Sequence, residues 1–494
     1  MDNALDAVRV TSGNVGSSGL AIGSIACRST LTNPTNGCAP LNAMGDGVAS
    51  AAAVNYVNTS QDYETMVLNE DVVAGSMQGK LPWDITGAGA PAVAFGAEYR
   101  KEGGVTEVSP LALATALAVA NFGPLRGQYH IEEGFAEINA PILKDSFVQS
   151  LDFDAAGRIT SYSTSGMVET WKLGLTSQVN DDIKLRSFYS VDIRAPNLAE
   201  LFSGGIYSNS SPIDPYSGKQ VTQVLSATLS NPNLKPEVAN TVSGGVVLTP
   251  HWIDGLQMSF DWYNINLKGY ITAPSAQLTT QLCQQGNQFY CNQFIYTGGT
   301  PGVPGSGTLT YLNLQPQNAA SLITSGLDFQ ADYRMPLFDG TIAYHLVGNY
   351  TDRRVQSAFG AAAFDSAGSM SSVGTYTSVP KLHFNLSATY AEGPFVGTVQ
   401  GRFIGSARLN NYWVTGVDVD DNAVPEVAYM DLRASYKFDS NIQLYGAIDN
   451  VFNTPPPGVA ILASQSNSSQ SFGTDTSTYD TLGRMFRVGV RLSY

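Results

Sequence analysis

Charge is what this sequence has least of. Only 14% of its 494 residues are Asp, Glu, Lys or Arg, against about a quarter in an ordinary soluble domain. A chain so poor in charge is not built of long solvated helices. Basic residues are scarcer still, 26 Lys and Arg against 41 Asp and Glu, giving a formal charge of −15 and a pI near 4.6. That balance excludes a nucleic-acid partner, because binding to phosphate is driven by Lys and Arg. No apolar run reaches the roughly twenty residues that a membrane helix needs; the best, "LALATALAVANF", covers 111–122. A membrane form of this protein therefore has to be a barrel. The opening "MDNALDAVRV" has neither a basic region nor an apolar one, so it does not read as a secretory signal. Linkers and shifts of composition are also lacking, which favours one large unit.

Glycine (49) and tyrosine (24) are abundant, a composition of strands and polar turns. The four cysteines fall as two close pairs, Cys27 with Cys38 and Cys283 with Cys291. With no histidine near either pair zinc is disfavoured, and the expectation is two local disulfides in an oxidising compartment.

Alternation of apolar and polar residues runs through the chain. In 183–194, Ile183, Leu185, Tyr189, Val191 and Ile193 fall on one face, and Lys184, Arg186, Asp192 and Arg194 on the other. About fifteen such segments recur, many near the ten-residue length of membrane-crossing strands. From 65 onward they alternate between short connections ("APILKD", "VNDD", "TPHWIDG", "MPLFDG", "AEGP", "FDSN") and mostly long ones (195–236, 273–317, 356–379, 410–426, 452–484). A sandwich has no reason for this asymmetry, whereas an outer-membrane barrel has tight turns at the periplasm and long loops outside. Closure also pairs every backbone group that lipid would leave unsatisfied. The expected class is all-β, an antiparallel transmembrane barrel. Counting back from an inward-running last strand puts residues 1–64 and both cysteine pairs outside. Fifteen is odd where bacterial barrels have even counts, so the chain is expected to begin inside an extracellular loop, with 65–494 forming barrel.

Three stretches carry the reading further: "SVDIRAPNLAELFSGG" (190–205), "NPNLKPEVANTVSGGVVLTP" (231–250), and "YGAIDNVFNTPPP" (445–457) with "YDTLGRMFRVGVRLSY" (479–494). In this order they resemble the C-terminal half of TonB-dependent outer-membrane receptors, and "GCAPLNAMG" (37–45) and "AFGAEYRKE" (94–102) look like larger members. The resemblance implies a Gram-negative outer-membrane importer with twenty-two strands, an N-terminal plug, and drive from the TonB complex through a short N-terminal box. Plug, box and about seven strands have no counterpart before Met1, so the chain by itself is not expected to transport by the family mechanism. The last residues resemble the signal read by the barrel-assembly machinery, in Arg487, Gly489, Leu492 and Tyr494. Outer-membrane lipid, that machinery and the TonB complex are thus the implied partners, with a small-molecule or oligosaccharide ligand and no cofactor.

Individual residues support a structural role first. Pro196 suits the first position of a helical turn, with Leu198, Leu201 and Phe202 on one side. The prolines of "NPNLKPE" hold the backbone extended until Glu237. By parity Arg194 and Glu237 both face the lumen, and a pair across the wall is expected. His383 falls on the same face as polar lining. Aromatics in the long loops (Tyr207, Tyr216, Phe289, Tyr290, Tyr296, Tyr412 and Trp413) are candidates to stack on a ligand, against the plainer reading that they pack loops together. The sequence holds no Gly-x-Ser-x-Gly elbow, no His-Glu-x-x-His and no Walker loop, and its histidines (130, 251, 345, 383) are scattered. "VDVDDN" (417–422) lacks the Gly and distal Glu of a calcium loop. Neither a catalytic nor a metal site is expected. The function expected is uptake of a large scarce nutrient, a ferric siderophore or an oligosaccharide. A smaller pore or adhesin barrel is the alternative, and a barrel hydrolase the third class.

Overall fold

The computed structural model describes residues 2–16, 18–45, 47–58, 63–117, 121–301, 303–370, 379–459 and 473–493. Tyr494 of the expected assembly signal lies outside the described residues.

One antiparallel wall dominates the molecule, with fifteen strands hydrogen-bonded in chain order. They are β1 Glu64–Lys80, β2 Ala92–Val108, β3 Leu125–Lys144, β4 Ser150–Tyr162, β5 Gly166–Gln178, β6 Ile183–Arg194, β7 Glu237–Leu248, β8 Leu256–Thr272, β9 Gln317–Leu337, β10 Gly340–Ala358, β11 Leu382–Glu392, β12 Phe395–Ile404, β13 Val427–Lys437, β14 Ile442–Asp449 and β15 Met485–Leu492. Each coincides with one alternating segment of the sequence. The two-residue strand Phe364–Asp365 pairs with β10 off this path. Among the described residues β1 and β15 do not pair with each other, so they are the two edges of the wall. No helix among the described residues is long and apolar enough to cross a membrane.

Register fixes the two faces. Leu185 pairs with Val246, and Tyr189 with Val242, on one face, while Arg186 pairs with Gly245 and Arg194 with Glu237 on the other. The apolar face continues through Phe260, Phe329, Leu346 and Leu386. The polar one continues through Asp261, Asp328, Asn349 and His383. Partners in an antiparallel ladder share a face, so the parity read from one strand carries across the wall.

Short connections gather at one end: 145–149, 179–182, 249–255, 338–339, 393–394 and 438–441. The long ones gather at the other, with the short 163–165 among them, and their described residues are folded. Connections 109–124, 195–236 and 273–316 together build a five-stranded ledge, in the order Phe294–Thr297, Thr308–Asn313, Val224–Thr228, Ile206–Ser210, Asn121–Phe122. Its core is Val224, Leu282, Cys283, Tyr290, Phe294, Leu309 and Leu312. A second body, from the connections after β10, β12 and β14, closes around Met370, Leu409, Val424, Tyr429, Val459 and Tyr479.

Candidate functional site

The polar face of β1–β9 lines an open cavity of about 1520 Å³. Its lining mixes charges of both signs, including Lys80, Glu137, Asp154, Lys172, Arg186, Asp261 and Asp328, with hydroxyls such as Thr241, Ser243, Thr324 and Tyr263 between them. Ala94, Ala156, Phe188 and Ile265 stand among them, so the surface presents apolar contact beside charge. Arg186 reaches from β6 over Gly245 of β7 to Asp261 of β8 at 2.5 Å. A Cβ at position 245 would stand 2.0 Å from the Asp261 carboxylate, so the pair requires glycine between its partners. Gly245→Val is expected to break the bridge and cost about 1–3 kcal/mol through overpacking. An unchanged unfolding midpoint in detergent would count against this geometry.

At the long-loop end, two arginines bind loops to wall. Arg194 donates to Glu237 at 2.5 Å and to both oxygens of Glu200 at 3.0 Å. Glu237 is buried and also accepts the Ile271 N–H at 2.8 Å. Glu200 lies on the short helix Leu198–Phe202, whose capping box joins it reciprocally to Asn197. Asn197 is thus the cap, and Pro196 stands one residue before it rather than in the first helical position. Leu201 is buried, and with Leu198 and Phe202 it packs on Tyr129, Ile131, Leu234 and Ile271. The Asn-x-x-Glu spacing at 197–200 is a cap signal that the alternation argument passes over.

The second clamp was not read from sequence. Arg402 of β12 donates to both oxygens of Asp431 (2.9 and 3.2 Å) and to Asp480 of the last loop (3.1 Å). Asp431 is buried and also accepts the Asn450 N–H at 2.9 Å. The Arg402 guanidinium lies 4.9 Å from the centre of the Tyr429 ring. In both clamps an arginine joins a buried wall carboxylate to a loop carboxylate, and the wall carboxylate takes one more backbone N–H. The signal available was parity: Arg402 and Asp431 fall on the polar face of adjacent strands, as Arg194 and Glu237 do.

Both cysteine pairs are bonded, Cys27 to Cys38 and Cys283 to Cys291. The loop aromatics divide. Tyr290 is buried in the ledge core, and Trp413 packs against the second loop core. The Tyr207 hydroxyl donates to Gly204 O at 3.0 Å. Tyr216 stands edge-on to Tyr296 at 6.0 Å. Tyr412 lies 5.0 Å from Phe364, and its hydroxyl accepts the Asp365 N–H. Tyr216, Phe289 and Tyr412 remain exposed. His383 pairs in register with Asn349 on the polar face. In the last strand Arg487 pairs with Asp449, Tyr445 lies over Gly489, and Leu492 is exposed opposite Ile442.

Asp214 anchors the ledge. Burial pushes its carboxyl up, but the Ser217 and Tyr296 hydroxyls and the backbone N–H groups of Tyr216 and Ser217 outweigh that, and it stays below the usual carboxylate range. Tyr296 is pushed up correspondingly, by burial first and then by Asp214. A lowered carboxylate stabilises the fold above its unfolded value, about 3.9, and that stability is lost as pH falls through the folded value. Amide exchange in 206–228 and 294–313 is therefore expected to quicken below about pH 4, and Asp214→Asn to flatten that dependence. A variant with the same acid profile would show that Asp214 does not set it.

Among the described residues no group of three or more His, Cys, Asp or Glu is placed to hold a metal. A family model, TonB dependent receptor-like β-barrel, matches residues 28–451. The chain belongs to the TonB-dependent receptor β-barrel family. No curated protein matches it. Its fold is shared with the siderophore receptor PirA from Acinetobacter baumannii at TM-score 0.56 and 16% identity, over 86% of this chain and 55% of that one. A mutant of the ferric enterobactin receptor PfeA from Pseudomonas aeruginosa, in complex with enterobactin, gives 0.57 and 14%, over 87% and 55%. This TonB-dependent receptor barrel thus spans little more than half the length of the solved chains it matches. Like its family, it is a protein of the Gram-negative outer membrane.

Proposed function

We propose that this barrel serves TonB-driven uptake of a large scarce nutrient, a ferric siderophore or an oligosaccharide, across the outer membrane. The observation that carries the proposal is the family match over 28–451 on a wall whose inner face sets charged and hydroxyl side chains around a large open cavity. An apolar outer face and a polar inner one suit passage of a hydrated cargo through lipid. Residues 1–64 act as an extracellular loop region and 65–494 as the C-terminal portion of the receptor barrel, wall and loops together. Arg487, Gly489, Leu492 and Tyr494 address the chain to the barrel-assembly machinery. Tyr216 and Tyr412, exposed on folded loops, offer stacking faces for cargo, and the pairs Arg194–Glu237 and Cys283–Cys291 hold the loop bases. The disulfides suit an oxidising compartment.

The test is deletion of the gene in its native host, followed by uptake of labelled ferric chelates and of maltoheptaose, with and without a functional TonB. Loss of one TonB-dependent uptake on deletion is expected. Uptake that persists without TonB would favour the passive pore instead.

A further inference from the structure

We infer that Arg354 reads a negative charge on the cargo at the loop-side rim of the cavity. The inference rests on the uptake reading above and narrows it to anionic cargo.

Arg354 pairs in register with Thr324 of β9, which pairs with Ile265 of β8. Thr324 and Ile265 both line the cavity, so Arg354 extends that row by one strand on the same face. The residue is half-buried. Its only side-chain hydrogen bond among the described residues runs from Nη1 to Ser366 Oγ at 3.2 Å. Asp365, the adjacent acid, turns its Oδ1 to the backbone N–H groups of Arg354 and Ala367 at 2.9 and 3.0 Å. No carboxylate of the described residues lies within 4 Å of the Arg354 guanidinium. The other half-buried arginines of the wall are treated differently: Arg100 has Glu98 at 3.4 Å, and Arg402 has Asp431 at 2.9 Å. Arg353, the neighbour on the opposite face, is exposed and needs no counter-charge.

A guanidinium withdrawn from water without an anion is costly. Its planar fork of five donors matches a carboxylate, phosphate or chelate oxygen pair. Among the described residues only one donor is engaged by a side chain, and the partner, Ser366, is neutral. The cation is thus held at the edge of the transport space with its recognition chemistry unspent, and a cargo anion completes it. A neutral sugar would leave it as it is.

The experiment separates binding from transport. Equilibrium binding of a ferric tricatecholate, which is anionic, and of maltoheptaose, which is neutral, is measured by tryptophan fluorescence on the purified full chain. The same probes are followed for uptake in the native host. Arg354→Gln is expected to weaken tricatecholate binding at least about tenfold, as loss of a charge-assisted pair does. Arg354→Lys, which keeps charge but not the fork, should fall between, and Arg353→Gln should match wild type. Variants are compared at equal outer-membrane abundance. Equal affinity of wild type and Arg354→Gln for the tricatecholate, or tighter binding of maltoheptaose unaffected by either variant, overturns the inference. Absence of any TonB-dependent uptake overturns the uptake reading instead, whatever the binding data show.

Discussion

Arg402→Ala should loosen the second loop body, with amide exchange around Asn450 and 473–484 faster by about two orders of magnitude. Removing one partner of a buried pair costs about 3–5 kcal/mol. The Arg402 side chain is 32% exposed while Asp431 is 3% exposed, so solvent screening lowers the expected cost to about 2–4 kcal/mol. Three carboxylate bonds and the contact with the Tyr429 ring are lost together, and among the described residues Asp431 keeps only its backbone donor. Arg433→Ala is the control. Its ion-pair partner, Asp449, lies 3.6 Å away with the arginine 45% exposed, and such pairs contribute about 0–1 kcal/mol. Exchange that is unchanged in Arg402→Ala, or equally changed in both variants, would show that the clamp does not hold the loop.

Leu386→Arg is the second large effect. Leu386 sits mid-strand on the apolar face, opposite Leu346 and Gly401, whereas Ser387 beside it pairs with His345 and Gln400 on the polar face. An arginine facing lipid near the bilayer midplane costs about 2–4 kcal/mol, whereas at 387 it meets water and polar neighbours. Folded yield in the outer membrane should fall sharply for Leu386→Arg and stay near wild type for Ser387→Arg. The opposite ranking would reverse the assignment of faces across the whole wall.

The wall was legible because its signal is local and repeated. A period of two with one apolar face survives in β6, β11 and β13 alike, and turn chemistry such as "FDSN" and "AEGP" punctuates it. Arg194 with Glu237 was legible for the same reason, since parity alone aligns them. What was not legible depends on contacts distant in sequence. Nothing around Thr308–Asn313 announces that it runs parallel to Val224–Thr228, and the ledge core joins segments from different loops. Asp480 stands 78 positions from Arg402, and only the folded loop brings them together. Tyr290 reads as a surface aromatic in a polar loop until the ledge closes over it. Alternation also fades in the second half of β2, "EGGVTEV", which holds two adjacent glycines, yet Gly104 pairs with Leu68 and Gly127 inside the ladder.

The loop bodies carry a consequence for the thermodynamics of capture. Fixing a flexible residue costs about 1–2 kcal/mol of backbone entropy, and a loop that orders only around its cargo subtracts that from the affinity. Here the ledge already has a hydrophobic core, a disulfide and an anchored carboxylate of its own. Its ordering is settled when the protein folds, so a molecule arriving from outside meets a surface shaped in advance and keeps more of its contact energy as binding.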